Sequence, residues 1–349
     1  ASGGVYCWGQ DSTGELGNGS GGGSKTPVSV ATITSANSVA SNNLHSCAEL
    51  SNGGVHCWGL NNMGQLGDGT NQTGKSPVQV QNLSGAVGVA AGNLHSCAVL
   101  GSGAMKCWGY EVFGRLGNGK NRQIEQKTPV DVEVVKDAVE VVSGGSHGCA
   151  LRGDGTVACW GNGTTGTLGQ GRFAGSTKPV KVNKLTGVVD IAAGVDHNCA
   201  VRRDGTVWCW GKGSAYQLGN GNNSNKAAPV EVVGLSDAVE VAAGESHSCA
   251  RTEMGEVYCW GKNAEYDGSG NLKTGGQLGN GTYQDSQSPV IVVGAGGGSS
   301  LTGVIAIGAG QQHTCATTDS GEAYCWGNNA AGQLGDGKTS HSNRPVKVN

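Results

Sequence analysis

His147-Gly148-Cys149-Ala150-Leu151-Arg152-Gly153-Asp154-Gly155-Thr156-Val157-Ala158-Cys159-Trp160 reads as two short strands joined by a tight turn. Gly153 to Gly155 supplies the turn, and the flanking runs are apolar and β-prone. Folding about Asp154 sets Arg152 opposite Thr156, Leu151 opposite Val157 and Cys149 opposite Cys159. Two further strands bracket the hairpin. Val239 to Gly244 shows the alternating strand that precedes it in each unit. Pro179 to Val182 shows the strand that follows, with proline expected at its first position, where no ladder donor is needed.

The same text recurs along the chain. Cys-Trp-Gly occurs seven times, with tryptophans at Trp8, Trp58, Trp108, Trp160, Trp210, Trp260 and Trp326, at intervals of 50, 50, 52, 50, 50 and 66 residues. All seven prolines fall in one phase of that period, from Pro27 to Pro345, and His-x-Cys-Ala recurs six times, from His45 to Ala316. Four short strands per unit of about 50 residues predict a β-propeller, with a β-solenoid as the structural alternative. The expected fold is all-β: a seven-bladed β-propeller of four-stranded antiparallel blades, the first incomplete. It occupies residues 1–349 as one domain, with a half unit over 1–30 and full units over 31–80, 81–132, 133–182, 183–232, 233–292 and 293–349.

Composition narrows the function. Of 349 residues, 65 are glycine and only 2 are phenylalanine and 3 methionine, so a conventional aromatic core is not expected. Charged residues are 14%, and 23 basic against 26 acidic residues give a net charge of −3, so no nucleic-acid surface is implied. No apolar run is long enough for a membrane-spanning helix. The start at Ala1-Ser2-Gly3 reads as that of a processed or partial product.

The order Gly-x-x-His-x-x-Ala-Leu, Asp-Gly-x-Val-x-x-Trp-Gly, Gly-Gln-Leu-Gly and Pro-x-x-Val resembles the regulator-of-chromosome-condensation repeat family, over essentially the whole chain. The resemblance implies a seven-bladed ring closed by joining N- and C-terminal strands in one blade. Here Gly3-Gly4-Val5-Tyr6 matches only the outgoing half of a hairpin, and Pro345 to Asn349 ends on a fourth strand. Two strands are therefore expected to be missing from one blade. Nucleotide exchange on a nuclear GTPase, known in the family, fits poorly with paired cysteines and an acidic balance.

Twelve of the 13 cysteines form six Cys-x9-Cys pairs: Cys47/Cys57, Cys97/Cys107, Cys149/Cys159, Cys199/Cys209, Cys249/Cys259 and Cys315/Cys325. Opposed strand residues have Cα atoms about 4.5–5.5 Å apart, within reach of a disulfide. Each bond would contribute about 2–3 kcal/mol by chain entropy. The alternative is a metal site of His147, Cys149 and Cys159, which lacks both a Cys-x2-Cys knuckle and a fourth ligand. Disulfides place the protein outside the reducing cytosol, extracellular or at the cell surface. Cys7 is left unpaired or intermolecular.

No nucleophile elbow, phosphate loop or haem motif is present, so no catalytic residues, metal or cofactor are expected. The six repeated histidines read as struts; His56 and His341 stand outside that pattern without a visible partner. Arg152-Gly153-Asp154 spells an adhesion tripeptide on a hairpin tip, most simply by chance, and Asn-x-Ser/Thr occurs at Asn18, Asn71, Asn82, Asn162, Asn222 and Asn280, so glycans are an expectation without proof. The sixth interval exceeds the basic period by 16 residues (66 − 50), in Glu265 to Thr274 and Gly294 to Ser300. Glu265, Tyr266, Asp267 and Lys273 form the candidate interaction loop. The expected function is a non-enzymatic structural protein that assembles with copies of itself through the incomplete blade into a polymer or filament. The alternative is a secreted protein-binding or inhibitory module that holds another extracellular protein with its long loops.

Overall fold

In the computed structural model, which describes residues 3–270 and 272–349, Cys149 stands opposite Cys159 and Leu151 opposite Val157. The turn closes through Arg152 N–H to Thr156 O and Gly155 N–H to Arg152 O, each 2.9 Å, while Asp154 Oδ1 accepts the Thr156 N–H at 2.9 Å. Gly155 has φ +74°, which glycine adopts without a Cβ penalty. Ala1, Ser2 and Asn271 lie outside the described residues.

Six such hairpins are each flanked by an inner and an outer strand, giving antiparallel four-stranded blades over residues 36–79, 86–131, 138–181, 188–231, 238–291 and 304–347. A seventh sheet has two strands, Tyr6–Gly9 and Ser24–Ser29. The expectation of seven blades is corrected to six complete blades plus this pair. The pair corresponds to the third and fourth strands of a blade, and the described residues supply no other strands to complete it. Among the described residues there is no α-helix, only a 3-10 turn at Val112–Gly114.

A second expectation also needs correction. The outer strand begins before its proline: it runs Ser176–Lys181, and Pro179 lies in an irregular stretch between the pairs Cys159↔Val180 and Gly161↔Ser176. A bulge on an edge strand tolerates a residue without an N–H, so the proline need not come first.

The core is a set of wedges between blades. One groups Cys149, Leu151, Val157 and Leu168 of the third blade with Ile191, Ala200 and Trp210 of the fourth. Tryptophans 58, 108, 160, 210, 260 and 326 are all fully buried. Two repeated glycines make room for this packing. A Cβ on Gly161 would lie 2.5 Å from Ser146 O, and one on Gly169 would lie 2.9 Å from Trp210 Nε1. Both residues also have positive φ, +105° and +63°.

All six cysteine pairs are disulfides: Cys47–Cys57, Cys97–Cys107, Cys149–Cys159, Cys199–Cys209, Cys249–Cys259 and Cys315–Cys325, with S–S distances of 2.07–2.15 Å. The expected Cα spacing is corrected downward at every one of them, to 4.0–4.1 Å. Cysteines occupy the narrow, non-hydrogen-bonded type of pair, where opposed strands approach most closely. The bonded cysteines lie deep in the fold. Cys57, Cys107, Cys159, Cys209, Cys259 and Cys325, on the third strand of each blade, are all fully buried. The same holds for Cys47, Cys97, Cys199 and Cys249 on the second strand, and Cys149 is nearly so, while Cys315 beside the two-stranded sheet is only half-buried. The first five bonds are thus part of the wedges between blades. Because the sulfurs of Cys149 and Cys159 are bonded to each other, they are not available to the metal alternative. Such bonds persist in oxidising compartments.

Candidate interaction surfaces

Four of the five joints between complete blades are small hydrogen-bond relays. At the first joint, Trp108 Nε1 donates to Gln65 O at 2.9 Å, and Ser96 Oγ donates to the same carbonyl at 2.9 Å while contacting His45 Nε2 at 2.8 Å. The relay recurs as His147–Asn198–Thr167, His197–Ser248–Gln217 and His247–Thr314–Gln277. Burial holds His45 at about 4 and His197 and His247 at about 3, so these imidazoles stay neutral. The repeated histidines are therefore struts.

The ring closes through the same contact. Trp8 Nε1 donates to Gln333 O at 2.9 Å, and Gly337 N–H donates to Lys25 O at 3.0 Å, joining the two-stranded sheet to the sixth blade. Closure is confined to the outer half. Tyr6–Gly9 is paired only with Ser24–Ser29, so its inward edge has no partner among the described residues. That edge borders a central cavity of about 530 Å³, walled by residues including Tyr6, Cys7, Val39, Ala91, Ala193 and Ala309. Tyr6 is exposed. Cys7 is the one free thiol among the described residues, half-buried; burial, with a contribution from Asp11, pushes it up to about 12. It is therefore protonated and a poor nucleophile at neutral pH. His313, at the sixth-blade side of this joint, has no side-chain hydrogen bond among the described residues.

The inner strands of the third, fourth and fifth blades place Glu140, Asp190 and Glu240 at one repeat position. Asp190 Oδ2 accepts Val241 N–H of the next blade at 2.7 Å, and Glu240 Oε1 accepts Ile307 N–H at 3.2 Å while pairing with Arg251 at 2.7 Å. Asp190 and Glu240 thus satisfy strand edges at the joints. Burial, with the charge of Asp190, raises Glu140 to about 8. Burial, with the charge of Glu240, raises Asp190 to about 7. No group of His, Cys, Asp or Glu among the described residues is arranged to hold a metal ion.

The candidate loop is an ordered hairpin, Ala264–Tyr266 paired with Leu272–Gly275. Glu265 is engaged with Lys262 at 2.6 Å, and Asp267 Oδ1 accepts Ser269 N–H at 2.8 Å in the turn. Lys273 contributes its carbonyl, which accepts from His341 Nε2 at 3.0 Å. His341 Nδ1 accepts Asn329 N–H at 3.0 Å, which fixes the tautomer and ties the hairpin to the sixth blade. Only Tyr266 presents a large exposed apolar surface at this hairpin besides Leu272. The second extra segment, 294–300, connects an outer strand to the next inner strand; Arg344 of the sixth blade lies against Gly297 of that segment and against Gly281 of the loop that carries the hairpin. Arg152 pairs with Asp137 at 2.9 Å and Asp154 caps its own turn, so the adhesion tripeptide spends both charges within its blade. Among the glycosylation acceptors, Asn71, Asn82 and Asn222 are exposed.

Sequence reasoning missed the second blade. Its loop between third and outer strands carries Arg115, where other blades carry glutamine or threonine, and Glu111, whose side chain is fully buried. Burial opposes ionisation of Glu111, but hydrogen bonds from Arg122 and Asn118 hold its carboxyl below the usual range. Arg115 is almost fully buried, donates to Val112 O and Ser146 Oγ at 3.1 Å each, and lies 5.6 Å from the Tyr110 ring and 5.9 Å from the Phe113 ring. Beside it, His95 has neither ring nitrogen bonded, because the next blade carries Gly148 where others carry Ser, Asn or Thr. The signal was present as departures from the repeat at positions 111, 115 and 148.

A family model described as the RCC1-like domain matches residues 3–349. A stretch of 72 residues, 21% of this chain, is 42% identical to the human E3 ubiquitin-protein ligase HERC2, of which it covers 1%. The chain thus spans a very small part of that curated relative. Among solved structures, human WBSCR16 superposes with a TM-score of 0.86 at 22% identity, covering 99% of this chain and 94% of that one. Prp20p from Saccharomyces cerevisiae superposes with a TM-score of 0.80 at 23% identity, covering 99% and 85%. With the repeated Trp-to-carbonyl joints and this match over nearly its whole length, the chain belongs to the RCC1-like domain family.

Proposed function

We propose that this protein is a non-enzymatic protein-binding scaffold of the extracellular space or cell surface, and that it assembles with further copies of itself by strand addition at Tyr6–Gly9. The observation carrying this reading is that, among the described residues, this strand has a neighbour on one side only. An unpaired edge offers a row of N–H and C=O groups, and a second strand pair laid there would continue the ladder. Six disulfides support the compartment. Sedimentation of the intact chain over a range of concentrations tests the assembly. Oligomers growing with concentration, and suppressed by a synthetic peptide copying residues 239–257 (the inner hairpin of the fifth blade), are expected. A monomer at every concentration would overturn self-assembly.

A second reading is favoured by the anchored hairpin at Tyr266: a module that holds another extracellular protein. Propellers of this fold serve protein recognition elsewhere, as in the Saccharomyces Prp20p studied for binding to Gsp1p and histones. Here Tyr266→Ser should weaken capture of such a partner while leaving sedimentation unchanged.

A further inference from the structure

The chain has two phenylalanines, and neither is in the core: Phe113 is 51% exposed and Phe173 57%. Both stand in loops between third and outer strands, in the second and third blades, at the same end of the ring. The loops meet. Gly119 N–H donates to Thr177 O at 2.9 Å, and a Cβ on Gly114, the neighbour of Phe113, would lie 2.6 Å from the Thr177 Cα. Phe173 precedes that same residue by four positions. Ile124, 40% exposed, closes the second-blade loop.

The Phe113 ring and the backbone around Phe173 are held in place. Phe113 sits at φ +61°, costly for a residue with a Cβ, with the buried Arg115 guanidinium against its ring. Phe173 lies in a turn clamped by Gln170 Nε2 to Ala174 O at 2.6 Å and by Gly171 N–H to Ala227 O at 2.7 Å. A preorganised aromatic surface loses little freedom on binding, which is what anchor residues of interfaces share. Two exposed aromatic side chains on loops of adjoining blades, in a chain so poor in phenylalanine, mark a contact surface.

Charge selects the partner. Residues 110–125 and 162–176 contain Arg115, Lys120, Arg122 and Arg172 against Glu111 and Glu125. Glu111 is buried and neutralised by Arg122, which leaves Lys120 and Arg172 as exposed cations with no ion pair among the described residues, and Glu125 as the exposed carboxylate of the two loops. We infer that this corner is a docking surface for an acidic protein segment, one that seats an apolar side chain on Phe113, Ile124 and Phe173 and sets carboxylates against Lys120 and Arg172. It is independent of strand addition at Tyr6–Gly9, which belongs to a different joint.

The test selects binders from a random peptide phage library on the disulfide-intact protein. The enriched peptides are then measured by fluorescence anisotropy against the parent chain, a Phe113→Asn/Phe173→Ser variant and a Lys120→Glu/Arg172→Glu variant. Asparagine tolerates the positive φ at position 113, and all four positions are exposed, so the fold is retained; near-ultraviolet circular dichroism checks this. Expected are sequences with two or more Asp or Glu around an apolar residue, each losing affinity by about tenfold or more in both variants. Failure to enrich any sequence, enrichment of sequences without acids, or affinity unchanged in either variant would overturn the assignment.

Discussion

The joint between the fourth and fifth blades and the joint between the second and third share one framework and differ in two side chains. In the former, Trp260 Nε1 and Ser248 Oγ both reach Gln217 O, and His197 completes the relay. In the latter, Trp160 Nε1 still reaches a carbonyl, that of Arg115, at 2.9 Å, but Gly148 leaves His95 without a partner. The tryptophan contact uses main chain and survives any side chain at the acceptor position. The histidine contact needs a side chain on the next blade and lapses when that residue is glycine. What repeats in this ring is thus the backbone-anchored bond, and what diverges is the side-chain relay. The joint between the sixth blade and the two-stranded sheet fits the same rule: Trp8 keeps its bond and His313 has no relay.

The largest effect should come from the shared element. Trp260→Ala should lower the free energy of unfolding by about 3–5 kcal/mol, read from urea denaturation, because a fully buried indole is lost from a wedge that cannot refill. Trp8→Ala, at the half-open joint where the indole is only half-buried, should cost less. Equal losses would mean that the two-stranded sheet is packed as tightly as a full blade.

Next comes the element that differs. His197→Ala and His95→Ala remove the same imidazole from equivalent positions, but only the former breaks a hydrogen bond. His197→Ala should be the more destabilising by about 1 kcal/mol, the net worth of one buried hydrogen bond. A larger loss at His95 would show that it has a partner not visible in the relay.

The smallest effect concerns the channel wall, where the fourth blade has Asp190 and the second has Gly88. Asp190 is raised to about 7 by burial and by Glu240, above the ordinary aspartate value of 3.8. Its contribution is therefore fully present below pH 3.8 and lost as pH rises through 7. The strut histidines act in the opposite sense. Burial lowers His45 and His313 to about 4 and His197 and His247 to about 3, so their contribution is present above pH 6.5 and lost as pH falls toward 3. Between pH 3.8 and 7 the two trends oppose each other, so Asp190→Asn should make thermal stability rise more steeply with pH across that window. A profile unchanged over that window by Asp190→Asn would contradict the assignment to this carboxylate.

Much of this molecule was legible in the sequence because it is local. The register of Cys149 against Cys159 follows from a turn of fixed length, and the period of the tryptophans counts the sheets. Contacts between units were not legible. The same cysteine spacing that gave the pairing said nothing of depth: Cys57, Cys107, Cys209, Cys259 and Cys325 are buried by the neighbouring blade, which lies outside their own hairpin. Nothing near Trp8 in sequence points to Gln333, and His341 gains its role only because the hairpin at Lys273 folds over from the preceding blade. The docking corner was hidden for a related reason: exposure of Phe113 and Phe173 depends on how two neighbouring blades meet, which no window of one blade contains.

The clasped hairpins of the six blades are tested most directly by counting thiols in the denatured, unreduced chain with a chromogenic disulfide reagent. One reactive thiol per chain, on Cys7, is the predicted result. A count near 13, the full cysteine complement, would contradict it.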